Sequence, residues 1–175
     1  MVMAASHPER LDRLKALPLF AGIPAVQLAH VAEIATWEIV PAGVVVLRAG
    51  DEGSAVYVVV SGRFEVAVGQ GPSRTSIAIV GEGELIGEAA LFRRSVARSA
   101  EVRALKDAEL LRLEAVDLDA LRRAGNGVPQ AIEEAVLVTL SRRIQASRDL
   151  VAQMLHGEEA PTAGFFSRLR GMIGR

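Results

Sequence analysis

From Trp37 to about Leu113 the chain is a series of short, valine-rich, β-branched runs separated by glycine, and this stretch constrains the fold more than any other. The runs are WEIV at 37–40, VVVLR at 44–48, VYVVV at 56–60, RFEVAV at 63–68, TSIAIV at 75–80, SAEVRA at 99–104 and AELLRL at 108–113. Pro41-Ala42-Gly43, Ser61-Gly62 and Gly69-Gln70-Gly71-Pro72 supply the turns between them. A parallel sheet would need crossover helices between its strands, and the gaps are too short to hold them. The spacing therefore predicts an antiparallel sandwich or roll of seven or eight short strands.

The flanks have helical period instead. Leu11, Leu14 and Leu17 stand three apart in the stretch 9–17, a short amphipathic helix that Pro18 and Gly22–Pro24 bring to an end. A second short helix is expected around 25–35. Beyond Leu113, Asp117 or Asp119 is placed to cap a helix ending near Arg123, and Ala124-Gly125-Asn126-Gly127 stops it. The longest helical segment is 128–155, with Pro129 in its first turn and Ile132, Val136, Leu140, Ile144, Leu150 and Met154 along one stripe. Its 28 residues would span about 42 Å, more than a small roll needs to cover its own face. Part of that stripe is therefore expected to meet a second copy of the chain.

The expected organisation is a helical segment at 1–35, a roll at 36–114, helices at 115–155, and a linker with an amphipathic tail at 156–175. In that tail Phe165, Phe166, Leu169, Met172 and Ile173 share a face, with Arg168, Arg170 and Arg175 away from it. Such a face at 164–175 suits the chain's own domain, a partner protein or a membrane surface.

Composition removes several classes of function. The chain has 175 residues, room for one ordinary domain with appendages, and no cysteine, which excludes disulfides, thiolate zinc sites and a cysteine nucleophile. A formal net charge of -1 gives no global attraction to nucleic acid. His7, His30 and His156 lack metal-ligand spacing, and the roll segment holds no histidine at all. Neither a metal centre nor a catalytic site is expected. The sequence has no spanning run of roughly 20 apolar residues. MVMAASHPER lacks the apolar core of an export signal, so a cytoplasmic location is expected.

The densest chemistry lies at 81–104, GEGELIGEAALFRRSVARSAEVRA. Glycines at 81, 83 and 87 let the backbone come close to something. Glu88 then opens a single helical turn through Phe92, whose small residues leave its N–H groups accessible to an anion. A carboxylate at that position either complements the local dipole or accepts hydrogen bonds from a ligand hydroxyl. Ten residues on, Arg98-Ser99 begins the next strand and offers a guanidinium and a hydroxyl to the same place. Trp37 and Tyr57 read as packing residues.

This stretch resembles the phosphate-binding cassette of cyclic nucleotide-binding domains, and the ten-residue step from glutamate to arginine is most similar to the catabolite activator protein branch. LKALPLFAGIP at 14–24, PAG at 41–43, Gly50-Asp51 and Tyr57-x-Val59-x-Ser61-Gly62 extend the likeness over roughly residues 10–155. The resemblance implies a mainly β fold: an antiparallel β-roll (a jelly roll, or double-stranded β-helix) with N-terminal helices and a long C-terminal helix. It implies that Arg98 pairs with the cyclic phosphate, that Ser99 bonds a phosphate oxygen, and that Glu88 takes the ribose 2′-hydroxyl. Gly87 and Ala89 would contribute backbone N–H groups. The segment from Ser141 to Ser147 is similar to the one that lies over the base, which makes Arg143 and Ser147 candidates for contacts to the base or across a dimer.

Where the family often has a larger apolar residue this chain has Ala89, and where it often has proline this chain has Ala97; Arg93 and Arg94 add positive charge to the loop. The ligand is accordingly left open between cyclic AMP, cyclic GMP and the larger cyclic di-GMP. The expectation is a receptor without catalytic activity that binds a cyclic mononucleotide and forms a homodimer through 128–155. Ligand contacts would favour one position of the cassette, with the following helices moving in step. The alternative is an adaptor of the same fold that no longer binds nucleotide. A winged helix-turn-helix needs far more chain than follows Leu155, so direct DNA binding is not expected.

Overall fold

A computed structural model describes residues 7–91 and 96–155, with the side chains of His7, Ala89, Ala90, Val96, 142–144 and 146–155 outside that description. The linker and amphipathic segment at 156–175, Arg93 and Arg94, and the side chains of Ile144, Leu150 and Met154 thus lie outside the described residues.

Each valine-rich run forms a strand: β1 (Thr36–Val40), β2 (Val45–Leu47), β4 (Val56–Ser61), β5 (Arg63–Val68), β6 (Thr75–Gly81), β9 (Glu101–Ala104) and β10 (Ala108–Leu113). Three two-residue strands interleave them, β3 (Glu52–Gly53), β7 (Leu85–Ile86) and β8 (Val96–Ala97), making ten among the described residues rather than seven or eight. Two residues carry no periodicity, which is why these pairings were not legible in the sequence. All pairings are antiparallel, in two four-stranded sheets, β1-β10-β4-β7 and β2-β9-β5-β6, with a small β3-β8 ribbon.

Strand β4 explains why VYVVV shows no alternation. Tyr57 and Val59 face the roll interior, in one cluster with Val40, Phe64, Val80, Ile86, Val102 and Leu110. Val56, Val58 and Val60 face outward, but helices cover them, and they cluster with Leu14, Phe20, Leu28, Leu121 and Ile132. A strand buried on both faces reads as one continuous apolar run.

The covering helices are α1 (His7–Ala16), α2 (Ala25–Ile34), α3 (Ala115–Arg123) and α4 (Val128–Leu155), with a 3₁₀ turn at Pro18–Phe20. Arg13 reaches from α1 to Glu109 of β10, a carboxylate only 7% exposed, and Arg10 lies 5.3 Å over the Trp37 ring. The cap of α3 is Glu114, not Asp117 or Asp119: Glu114 accepts the backbone N–H of Asp117, whose carboxylate accepts the Glu114 N–H at 3.1 Å. The reciprocal box requires the acid pair at this spacing, which puts Asp117 at its third helical position. The α3–α4 turn is anchored by Asn126, 9% exposed, which donates to the Gln27 carbonyl at 3.1 Å and accepts the Val128 N–H at 2.9 Å. Gln27 in turn accepts the Gly127 N–H at 2.8 Å. On α4, Ile132 and Val136 are buried in the chain's own core, whereas Leu137, Val138 and Leu140 are 59%, 49% and 36% exposed.

Candidate functional site

The short ribbon β3-β8 holds the segment 96–98 against the connector 50–55. Glu52 pairs with Ala97 and Gly53 with Val96, and two further bonds of 2.8 Å, Arg98 N–H to the Asp51 carbonyl and Gly50 N–H to the Arg98 carbonyl, extend the ladder by one residue. Arg98 therefore stands at the end of this ribbon. It does not open β9, which begins only at Glu101, after a bend at Ser99 and Ala100.

The pairing turns the Arg98 side chain toward the start of β4. Nη2 donates to the Ala55 carbonyl at 2.9 Å and Nη1 to the Gly87 carbonyl at 3.2 Å. Two glycines make the seat. A Cβ on Gly53 would fall 2.6 Å from Nη2, and one on Gly87 would fall 2.7 Å from Nη1. Gly87 also has φ +77°, a conformation that side chains disfavour. Both acceptors are neutral carbonyls, and among the described residues no carboxylate pairs with the Arg98 guanidinium.

Gly87 leads directly into the 3₁₀ turn Glu88–Leu91, so the expected helical turn is present and tighter than α. Glu88 is half-buried at its first position, and Ala89 follows within it. The structure thus brings Gly87 and Arg98 into contact and sets Glu88 and Ala89 immediately beyond. Ser99 is exposed. Arg143 and Ser147 lie on α4, and the roles expected of their side chains fall outside the described residues.

Sequence reasoning missed Gly53, Ser54, Ala55 and Glu114. Ser54 Oγ donates to Glu114 Oε2 at 2.8 Å, and Arg112 Nη2 bonds the other oxygen of that carboxylate. Tyr57 lies among these groups. Burial pushes its phenol above the ordinary value, opposed by the Arg112 and Arg98 cations and reinforced by Glu38 and Glu114. No local signal marks these residues, because the contacts join positions 43 and 60 apart in the chain.

The site is thus a glycine-seated guanidinium beside a short helical turn, at the edge of an antiparallel roll packed on helices. Residues 37–124 match the family described as the cyclic nucleotide-binding domain, and the chain belongs to that family. It is 34% identical over 150 residues to the cyclic AMP receptor protein of Thermus thermophilus, covering 84% of this chain and 66% of that protein. It is 33% identical over 122 residues to a cyclic nucleotide-gated potassium channel of Rhizobium etli, covering 70% of this chain and 33% of the channel. Among solved structures, the N-terminal domain of a transcriptional regulator from Streptomyces coelicolor superimposes with a TM-score of 0.59 at 30% identity, covering 79% of this chain and 94% of that one. The chain spans about a third of the channel relatives it matches, 29% and 33% of their lengths. The expected β-roll with flanking helices is the observed fold, and the domain is a regulatory one. No helix among the described residues is long and apolar enough to cross a membrane.

Proposed function

We propose that the chain is a receptor for a cyclic mononucleotide, cyclic AMP or cyclic GMP, and that Arg98 is the residue on which binding depends. The observation that carries this reading is the half-buried guanidinium held by two neutral carbonyls, with no carboxylate partner among the described residues. A guanidinium has five N–H donors, so the bonds to Ala55 and Gly87 do not exhaust it. One phosphate charge at 4 Å contributes about 1 kcal/mol in water and about 4 kcal/mol at the dielectric of a protein surface. In this reading Ser99 bonds a phosphate oxygen, Glu88 takes the 2′-hydroxyl, and the N–H groups of Gly87 and Ala89 face the phosphate. Arg143 and Ser147 contact the base or a second protomer, and the exposed Leu137, Val138 and Leu140 support α4 as the dimer and output helix.

Titration calorimetry with cyclic AMP, cyclic GMP and cyclic di-GMP tests the proposal. Heat is expected with a cyclic mononucleotide, and Arg98→Ala is expected to weaken it by at least about 100-fold, near 3 kcal/mol. Arg98→Lys keeps the charge but loses the forked geometry and falls between the two. Silence with all three compounds would leave the adaptor reading; heat with cyclic di-GMP alone would replace the ligand.

A further inference from the structure

The connector 50–55 touches two places at once, the seat of Arg98 and the cap of the first helix after the roll. Its near end is bonded to Arg98 through the Gly50 N–H and the Asp51 carbonyl, and the Ala55 carbonyl receives Arg98 Nη2. One residue before Ala55, Ser54 Oγ donates to Glu114 at 2.8 Å. Glu114 is the N-cap of α3, and its carboxylate also holds the Asp117 N–H and Arg112. Ser54 and Ala55 are neighbours in the link between β3 and β4. They therefore place a hydroxyl at the helix cap and a carbonyl at the guanidinium.

Building on the receptor reading, we infer that Ser54 is a positioning residue that couples the anion seat to the start of α3. A phosphate that draws the Arg98 guanidinium toward itself alters its hold on the Ala55 carbonyl. Between that carbonyl and Ser54 lie one planar peptide and the two dihedrals of Ala55, so whatever part of the shift those dihedrals do not take up moves Ser54. The Ser54 hydroxyl then tightens or releases Glu114, and with it the first turn of α3. Coupling of this kind is reciprocal: whatever ligand does to the cap, the cap does to ligand affinity.

The test is hydrogen exchange of the whole chain, with and without cyclic AMP or cyclic GMP, read at the amides of 115–123, alongside calorimetry. In the wild type, ligand is expected to change protection there. Ser54→Ala should still bind, with affinity altered by less than about tenfold, or 1.4 kcal/mol, while the change at 115–123 disappears. Ser54→Thr, which keeps the hydroxyl, should restore it. Ser54→Cys, similar in shape with a much weaker donor, should behave as the alanine variant and stands in should that variant unfold. An unchanged α3 response in Ser54→Ala, or a wild type that binds with no response at 115–123, overturns the coupling and leaves the receptor intact. A wild type that binds neither compound overturns the receptor reading itself.

Discussion

The two glycines that seat Arg98 should respond differently to a methyl group. At Gly53 the three atoms nearest the added Cβ all belong to the end of the arginine side chain, which can swing aside. At Gly87 it would also come 3.2 Å from the Ala55 carbonyl oxygen, on a backbone already at φ +77°. Gly53→Ala should therefore weaken nucleotide binding with little change in the urea midpoint. Gly87→Ala should lose binding and also about 1–2 kcal/mol of stability. Equal stability losses in the two variants, measured by urea denaturation, would contradict this geometry. Tyr57 gives a second test at this scale. Its phenol is raised above 10.0, chiefly by burial. The folded state thus favours the protonated form, and that stabilisation is complete below pH 10 and lost as pH rises through the folded value. Urea midpoints should fall more steeply above about pH 10 in the wild type than in Tyr57→Phe; parallel curves would sink the idea. Arg98 and Gly87 were legible in the sequence because each belongs to a compact motif. Ala55 was not, since it contributes only a carbonyl that any residue type carries.

Among the elements, the seven long strands and four helices were legible because each has its own period or its own stop signal. The pairing of β3 with β8 was not, although it is what places Arg98. The cap of α3 was misread because several acids stand close together there, and only the reciprocal bonding of Glu114 with Asp117 selects between them. The α3–α4 turn rests on Asn126, which the sequence marks only as a stop. Asn126→Ala would leave the Gln27 carbonyl and the buried Val128 N–H without this partner. A cost of about 1–3 kcal/mol is expected for such a group. The urea midpoint should drop accordingly, and exchange should rise at both 25–34 and 115–136, because one side chain ties α2 to the turn. A rise confined to the turn would show that the tie carries nothing between the helices.

At the scale of the molecule, α4 serves two masters along its length. Ile132 and Val136 belong to the chain's own core, while Leu137, Val138 and Leu140 are left exposed on the next turn. If a second copy covers them, a charge there breaks the pair without touching the fold. Leu137→Asp should give a monomer by analytical ultracentrifugation where the wild type sediments as a dimer, with an unchanged urea midpoint for the monomeric unit at matched concentration. A wild-type monomer would remove the dimer reading and leave the nucleotide site unaffected.

Helix α1 lies wholly outside the stretch 37–124 by which the family is recognised, yet Arg13 supplies the counter-charge for Glu109, deep in the wall of the roll. Trimming the protein to its recognisable segment would remove the partner of Glu109, uncover the indole beneath Arg10, and bare the outward valines of β4, Val56, Val58 and Val60, that the helices cover. Returning buried valines to water costs roughly 1.5–3 kcal/mol each, and three of them amount to much of what holds a domain of this size together. The stretch that the family description matches is thus shorter than the part that must be made for any of it to fold.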